Sequence, residues 1–234
     1  MSPLALVTGA AHRLGKAFAL TLARHGFDIV LHYHHSLDAA LQTRAEIESV
    51  GRSVTFAQAD LTDAAQISSL LSKIDSLQVL VNSAAFMPSG NVDALSLENW
   101  DASLDLNLRA PFLLAREASQ KMTEGGLIVN ITDVGVQKAW SRYPSYTVSK
   151  AALESLTKIL ARALAPRLRV NAIAPGFVLP SDIVPAGEWE RLIQRVPLKR
   201  TARIEEVASA LEFLLHNEYI TGQTIVVDGG YSLV

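Results

Sequence analysis

Residues 4–36, LALVTGAAHRLGKAFALTLARHGFDIVLHYHHS, decide the fold. A short apolar run, Leu4 to Val7, breaks at Thr8, Gly9, Ala10, Ala11, His12, Arg13, Leu14 and Gly15, and a helical pattern follows to His25. A second apolar run, Asp28 to Tyr33, then begins. Strand, turn, helix and strand in that order make one βαβ unit of a parallel sheet. Gly9 permits a tight turn and Gly15 permits close approach of the helix. Such a turn is an anion site, because free backbone N–H groups and the helix dipole point at the same spot. The plainer reading is an ordinary strand-to-helix connection with isolated glycines.

The same alternation runs through the rest of the chain. Further strands are expected at Val54–Gln58, Val79–Asn82, Leu127–Ile131, Arg169–Ile173 and Thr224–Val227. Helices are expected at Leu14–His25, Leu37–Val50, Ala64–Ile74, Trp100–Thr123, Ser145–Ala165 and Ile204–His216. Together they predict an α/β, Rossmann-type, doubly wound parallel sheet of seven strands with helices on both faces, as a single domain over residues 1–234. The least regular stretch is Pro175 to Arg200, which reads as a lid or binding loop.

Composition narrows the function. With 49% hydrophobic and 19% charged residues the chain has material for one large core. A net charge of -2 gives no cationic footprint for nucleic acid. There is no cysteine, which removes disulfides, thiolate metal sites and cysteine nucleophiles. No basic leader precedes Leu4, and no apolar run approaches the roughly 18 residues a bilayer span needs, so a cytoplasmic protein is expected.

Two places carry chemistry. In the turn, Arg13 stands at the usual middle glycine position of a Gly-rich fingerprint, and its guanidinium suits a second phosphate. The second strand ends in His32, Tyr33, His34, His35 and Ser36 without the Asp or Glu that would accept the ribose hydroxyls of NAD, which favours NADPH. The histidines suggest a metal only weakly, since neighbouring strand residues face opposite sides and no carboxylate completes the set; no metal is expected. Farther on, Tyr146 and Lys150 lie four apart in a helical segment and so share a face. A lysine ammonium that close is expected to lower the tyrosine pKa and ready the phenol for proton transfer.

These residues, with Asp60-Leu61-Thr62, Asn82-Ser83-Ala84, Asn107, the run Arg169–Gly176 and Val227–Gly230, make the chain resemble the short-chain dehydrogenase/reductase family from end to end. The resemblance implies an NADPH-dependent oxidoreductase. Gly9, Arg13, Leu14, Gly15, His34, His35, Ser36, Asp60, Leu61, Asn82, Ser83, Ala84, Tyr146, Lys150, Pro175 and Gly176 would bind the cofactor. It implies that Asn107 holds a proton-relay water with Lys150, and that the protein forms a homo-oligomer, commonly a tetramer, through the helices around Asn107 and Tyr146. Where most of the family has Ser, thirteen residues before the tyrosine, stands Asp133. A carboxylate accepts from an amine or relays a proton to a ring nitrogen, and donates to a carbonyl only when protonated. With Arg13 and the Leu31–Ser36 run, Asp133 makes the chain similar to the pteridine and dihydromonapterin reductase branch.

That branch implies catalysis by Asp133, Tyr146, Lys150 and Asn107, and a substrate pocket of Phe86, Asp133, Tyr146 and Leu179. Met87 competes with Phe86 for the stacking place, and Trp189 can help Leu179 close the pocket. The substrate is then a pterin or dihydropterin. A carbonyl reductase with Thr132 as hydroxyl donor is the first rival, and a non-catalytic dinucleotide binder the second.

Overall fold

The computed structural model describes residues 2–180, 184 and 186–234. Seven strands form one parallel sheet: β1 (Leu4–Val7), β2 (Asp28–Tyr33), β3 (Val54–Gln58), β4 (Leu77–Asn82), β5 (Met122–Ile131), β6 (Leu168–Pro175) and β7 (Thr224–Val227). Their order is β3-β2-β1-β4-β5-β6-β7, so the winding reverses between β1 and β4. Ligands of such sheets bind in the crevice that opens there, beyond the carboxyl ends of the strands.

Side-chain alternation splits the core into two layers. Ala5 and Val7 pack under α1 (Arg13–Arg24), α2 (Leu37–Ser49) and α9 (Ile204–His216), whose Phe18, Leu22, Ile47 and Leu211 are fully buried. Leu6 points to the other face, under α3 (Ala64–Ser72), α5 (Ala110–Ala118) and α7 (Pro144–Leu164). Each such large side chain contributes roughly 1.5–3 kcal/mol by leaving water. Gly15 is required by this packing: a Cβ there would lie 2.1 Å from the Gly9 carbonyl oxygen.

Two expectations are corrected. The predicted helix Trp100–Thr123 is three pieces: α4 (Leu97–Leu104), a π-helical turn at Asp105–Arg109, and α5, with Met122 and Thr123 already in β5. Gly125, at φ 78°, and Gly126 oppose helix there, and Arg167 donates to the Ser119 and Met122 carbonyls (2.7 and 3.0 Å), holding the chain in its turn into the strand. The stretch Pro175–Arg200, expected to be irregular, contains α8 (Ala186–Arg195), and the short α6 (Gly135–Lys138) precedes α7. Among the described residues no helix is long and apolar enough to cross a membrane.

Candidate active site

A cleft of about 950 Å³ opens at the carboxyl ends of β1–β6. At one end lies the turn after β1. No side chain caps α1, whose N-cap His12 has extended backbone, so its first N–H groups face the cleft. Thr8 Oγ1 accepts from the Ser83 and Ala84 amides (2.9 and 3.1 Å), which fastens the end of β4 to this turn. His34, His35 and Ser36 line the cleft beyond the tip of β2. The His34 and His35 rings stack at 3.5 Å, and the Ser36 hydroxyl caps no helix. Asp60 is pushed up by burial, but bonds from the Thr62 N–H and hydroxyl (2.9 and 2.8 Å), with His34 and His35 nearby, hold its carboxyl below the ordinary range.

Arg13 also lines the cleft. Its backbone is left-handed, φ 54°, and its guanidinium donates to the carbonyls of Pro180 and Leu179 (3.1 and 3.3 Å). It ties the loop after β6 to the turn.

His32 serves the backbone of this region. Its Nδ1 accepts from the Gly9 N–H (3.0 Å), so the ring proton is on Nε2 and is donated to the Ala59 carbonyl (3.1 Å). Burial is the main reason its pKa falls from 6.5 to about 4, so the ring is neutral when folded. The unfolded chain binds a proton near pH 6.5 that the folded chain refuses until about 4, so stability is lost as pH falls through that window. The loss should reach about 3 kcal/mol, read as the difference between urea titrations of the native chain and His32→Gln across pH 7 to 4. Equal pH dependence in the two proteins would contradict this assignment.

At the centre, Tyr146, near the start of α7, donates its hydroxyl proton to Asp133 Oδ2 at 2.8 Å, and Asp133 Oδ1 accepts from the Gly135 amide at 2.7 Å. Lys150, one turn along α7, donates to the Ile131 carbonyl at 2.6 Å, its Nζ 5.6 Å from the centre of the Tyr146 ring. Burial pushes the Asp133 carboxyl up against the pull of Gly135, Tyr146 and Lys150. Burial draws Lys150 down to about 8, with Asp133 opposing. The expected lowering of the tyrosine pKa is corrected: burial and then the Asp133 charge and hydrogen bond raise Tyr146 well above 10.

Asn107 and Asn82 stand behind the cleft rather than in its wall. Within the π-helical turn, the Asn107 amide grips the Phe86 backbone at both N–H and C=O (2.8 Å each) and donates to Ser149 Oγ at 3.0 Å. None of these bonds reaches Lys150. Asn82 is buried and donates to Asn130 Oδ1 at 2.8 Å, joining β4 to β5.

The other expected residues, Gly9, Leu14, Gly15, Asp60, Leu61, Ser83, Ala84, Pro175 and Gly176, do line the cleft. So do Phe86, Met87 and Leu179. Phe86, 37% exposed, is wall and not core. Thr132 Oγ1 faces the Ile173 carbonyl at 3.3 Å, which spends its proton.

Of the aromatic floor the sequence reading named only Trp189 and missed Phe177, Trp140 and Tyr231. Phe177 meets Tyr231 at 4.8 Å, Trp189 at 5.3 Å and Trp140 at 6.0 Å. It also missed Arg142 and Glu188. The aromatic content of 139–143 was the available signal; the pairing across 46 residues left none.

A family model described as enoyl-(acyl carrier protein) reductase matches residues 9–232. The chain belongs to the short-chain dehydrogenase/reductase family. This reductase is 38% identical over 237 residues to a 3-oxoacyl-[acyl-carrier-protein] reductase of Synechocystis sp., covering 97% of this chain and 96% of the relative. It also superposes on the structure of FolM alternative dihydrofolate reductase 1 from Brucella suis in complex with NADP, with a TM-score of 0.92, 38% identity, and coverage of 99% and 96%. The angucycline C-6 ketoreductase LanV with bound NADP gives a TM-score of 0.94 at 29% identity, with coverage of 99% and 96%. The short-chain reductase fold and its oxidoreductase class are therefore common ground, while the relatives differ in what they reduce.

Proposed function

We propose that this reductase uses NADPH to reduce a C=N bond of a pterin or dihydropterin. The observation that carries the reading is the Tyr146–Asp133 hydrogen bond: the position that needs a hydroxyl donor for a carbonyl substrate holds an acceptor. An aminopyrimidine ring presents N–H donors and ring nitrogens, and a carboxylate beside a phenol matches both. The similarity to the Brucella suis alternative dihydrofolate reductase supports the same substrate class.

The residues present fit the cofactor. The N-terminus of α1 has no side-chain cap, which suits its first N–H groups to a pyrophosphate, and a Cβ at Gly9 would lie 3.0 Å from Ala84 Cα, so only glycine keeps that part of the cleft open. The free Ser36 hydroxyl and His35 suit a 2′-phosphate. Lys150 is the residue to hold ribose hydroxyls. The nicotinamide, when bound, supplies hydride.

The chain's own groups manage the proton. Tyr146 stays protonated at neutral pH because burial and Asp133 hold its pKa high, so it is a donor. Asp133, raised by burial, takes part as the acceptor that orients the phenol and as a seat for the ring's amino side. Phe86, exposed on the cleft wall with its backbone fixed by Asn107, is placed to cover the ring. Exposed apolar residues Phe112 on α5 and Val148 and Ile159 on α7 support assembly into a homotetramer through those helices.

Similarity to the Synechocystis 3-oxoacyl reductase favours the second reading, reduction of a 3-oxo thioester. NADPH consumption separates the two. Oxidised and dihydro pterins should sustain turnover, and 3-oxoacyl thioesters should be at least tenfold poorer by kcat/KM. Turnover of thioesters with none of pterins would replace the first reading by the second.

A further inference from the structure

Beyond the chemical centre, the cleft is lined by cations that the hydride chemistry does not use. Lys138, Arg142 and Arg195 line the cleft together with Glu188. Arg142, in the loop before α7, donates from Nη1 to both Glu188 oxygens at 2.9 Å, reaching to α8 across the opening. Both side chains are substantially exposed, 56% and 39%. An ion pair that open is weak, screened by salt, and readily exchanged for another carboxylate or a phosphate. Only Nη1 is engaged, so the planar fork of Arg142 is not yet used in the two-nitrogen manner that binds oxyanions best. Lys138 Nζ rests 5.3 Å from the centre of the Tyr231 ring, which keeps a second cation on the aromatic floor.

We propose that Arg142 is a specificity residue that seats the anionic tail of the substrate, with Glu188 as the internal stand-in that the tail displaces. Resting on the cleft's reductase reading, this adds that good substrates carry a carboxylate or phosphate several bonds from the reduced atom. A bare ring loses that contact. Glu188 competes with the tail for Arg142, while Trp189 and Leu192 keep α8 packed on the aromatic cluster.

The test compares anionic and neutral members of two ligand pairs by fluorescence of the NADP-saturated protein, whose Trp140 and Trp189 line the cleft. One pair is 7,8-dihydrofolate and 7,8-dihydrobiopterin; the other is a 3-oxoacyl thioester of coenzyme A and of N-acetylcysteamine. For the pair that fits the site, Arg142→Gln should weaken the anionic member about tenfold and leave the neutral one within about twofold. Glu188→Gln should tighten the anionic member about threefold, because its competitor is gone. A split in the folate pair assigns a carboxylate tail, and one in the thioester pair a phosphate tail. A thioester split with no pterin turnover keeps the anion seat and removes the pterin reading. Pterin turnover with no split in either pair keeps the pterin reading and overturns the seat; absence of a split in both pairs overturns the seat whatever is turned over.

Discussion

Tyr146→Phe is expected to lower kcat for NADPH oxidation about 10²- to 10⁴-fold while cofactor affinity stays within about threefold. The phenol is the hydroxyl that joins the reacting end of the cleft to Asp133, and removing it deletes the proton donor without disturbing the turn at Gly9–Gly15 or the Lys150 bond to Ile131. Its raised pKa makes the donor form dominant at neutral pH, so no phenolate has to form before turnover. The alkaline limit falls to Lys150: with its pKa drawn down to about 8, the ammonium is present below that value and lost above it. The kcat profile of the native enzyme should therefore fall above about pH 8, read by stopped-flow absorbance beside an equilibrium NADPH titration. A Phe variant that kept even a tenth of the native rate would remove Tyr146 from the proton path.

Much of this architecture was legible because both faces of the sheet are covered. A strand buried on two sides is a short continuous apolar run, as in Leu4–Val7 and Asp28–Tyr33, and the edge strands Val54–Gln58 and Thr224–Val227 also stand in the structure as read. β5 began earlier than its apolar core because Met122–Gly126 is held by Arg167 and neighbouring strands, with little side-chain signal of its own. The π-helical turn at Asp105–Arg109 was invisible, since the spacing of apolar residues across 97–118 suits either winding.

At the site, local spacing read well and distant pairing did not. Tyr146 and Lys150 are four apart, and a helix alone brings them together. Asp133 was marked by its offset from Tyr146, and the two meet at 2.8 Å. The Arg13 contacts were not legible, because its left-handed backbone brings its side chain to Leu179 and Pro180, some 166 residues away. His32, one of a polar run, proved to be a neutral strut under Gly9, because burial and two backbone partners fix its tautomer.

The substrate assignment turns on one carboxylate. Asp133 accepts from Tyr146 and Gly135 and, as a buried acceptor, suits a ring bearing N–H groups better than a ketone oxygen. Serine there gives back a hydroxyl donor and withdraws the acceptor. The deciding measurement is kcat/KM of Asp133→Ser beside the native enzyme, with NADPH, on a dihydropterin and on a 3-oxoacyl thioester. The expected result is a fall of about 100-fold on the pterin, roughly 2.7 kcal/mol of lost transition-state binding, with the thioester unchanged or improved. Pterin reduction by Asp133→Ser at the native rate would contradict it.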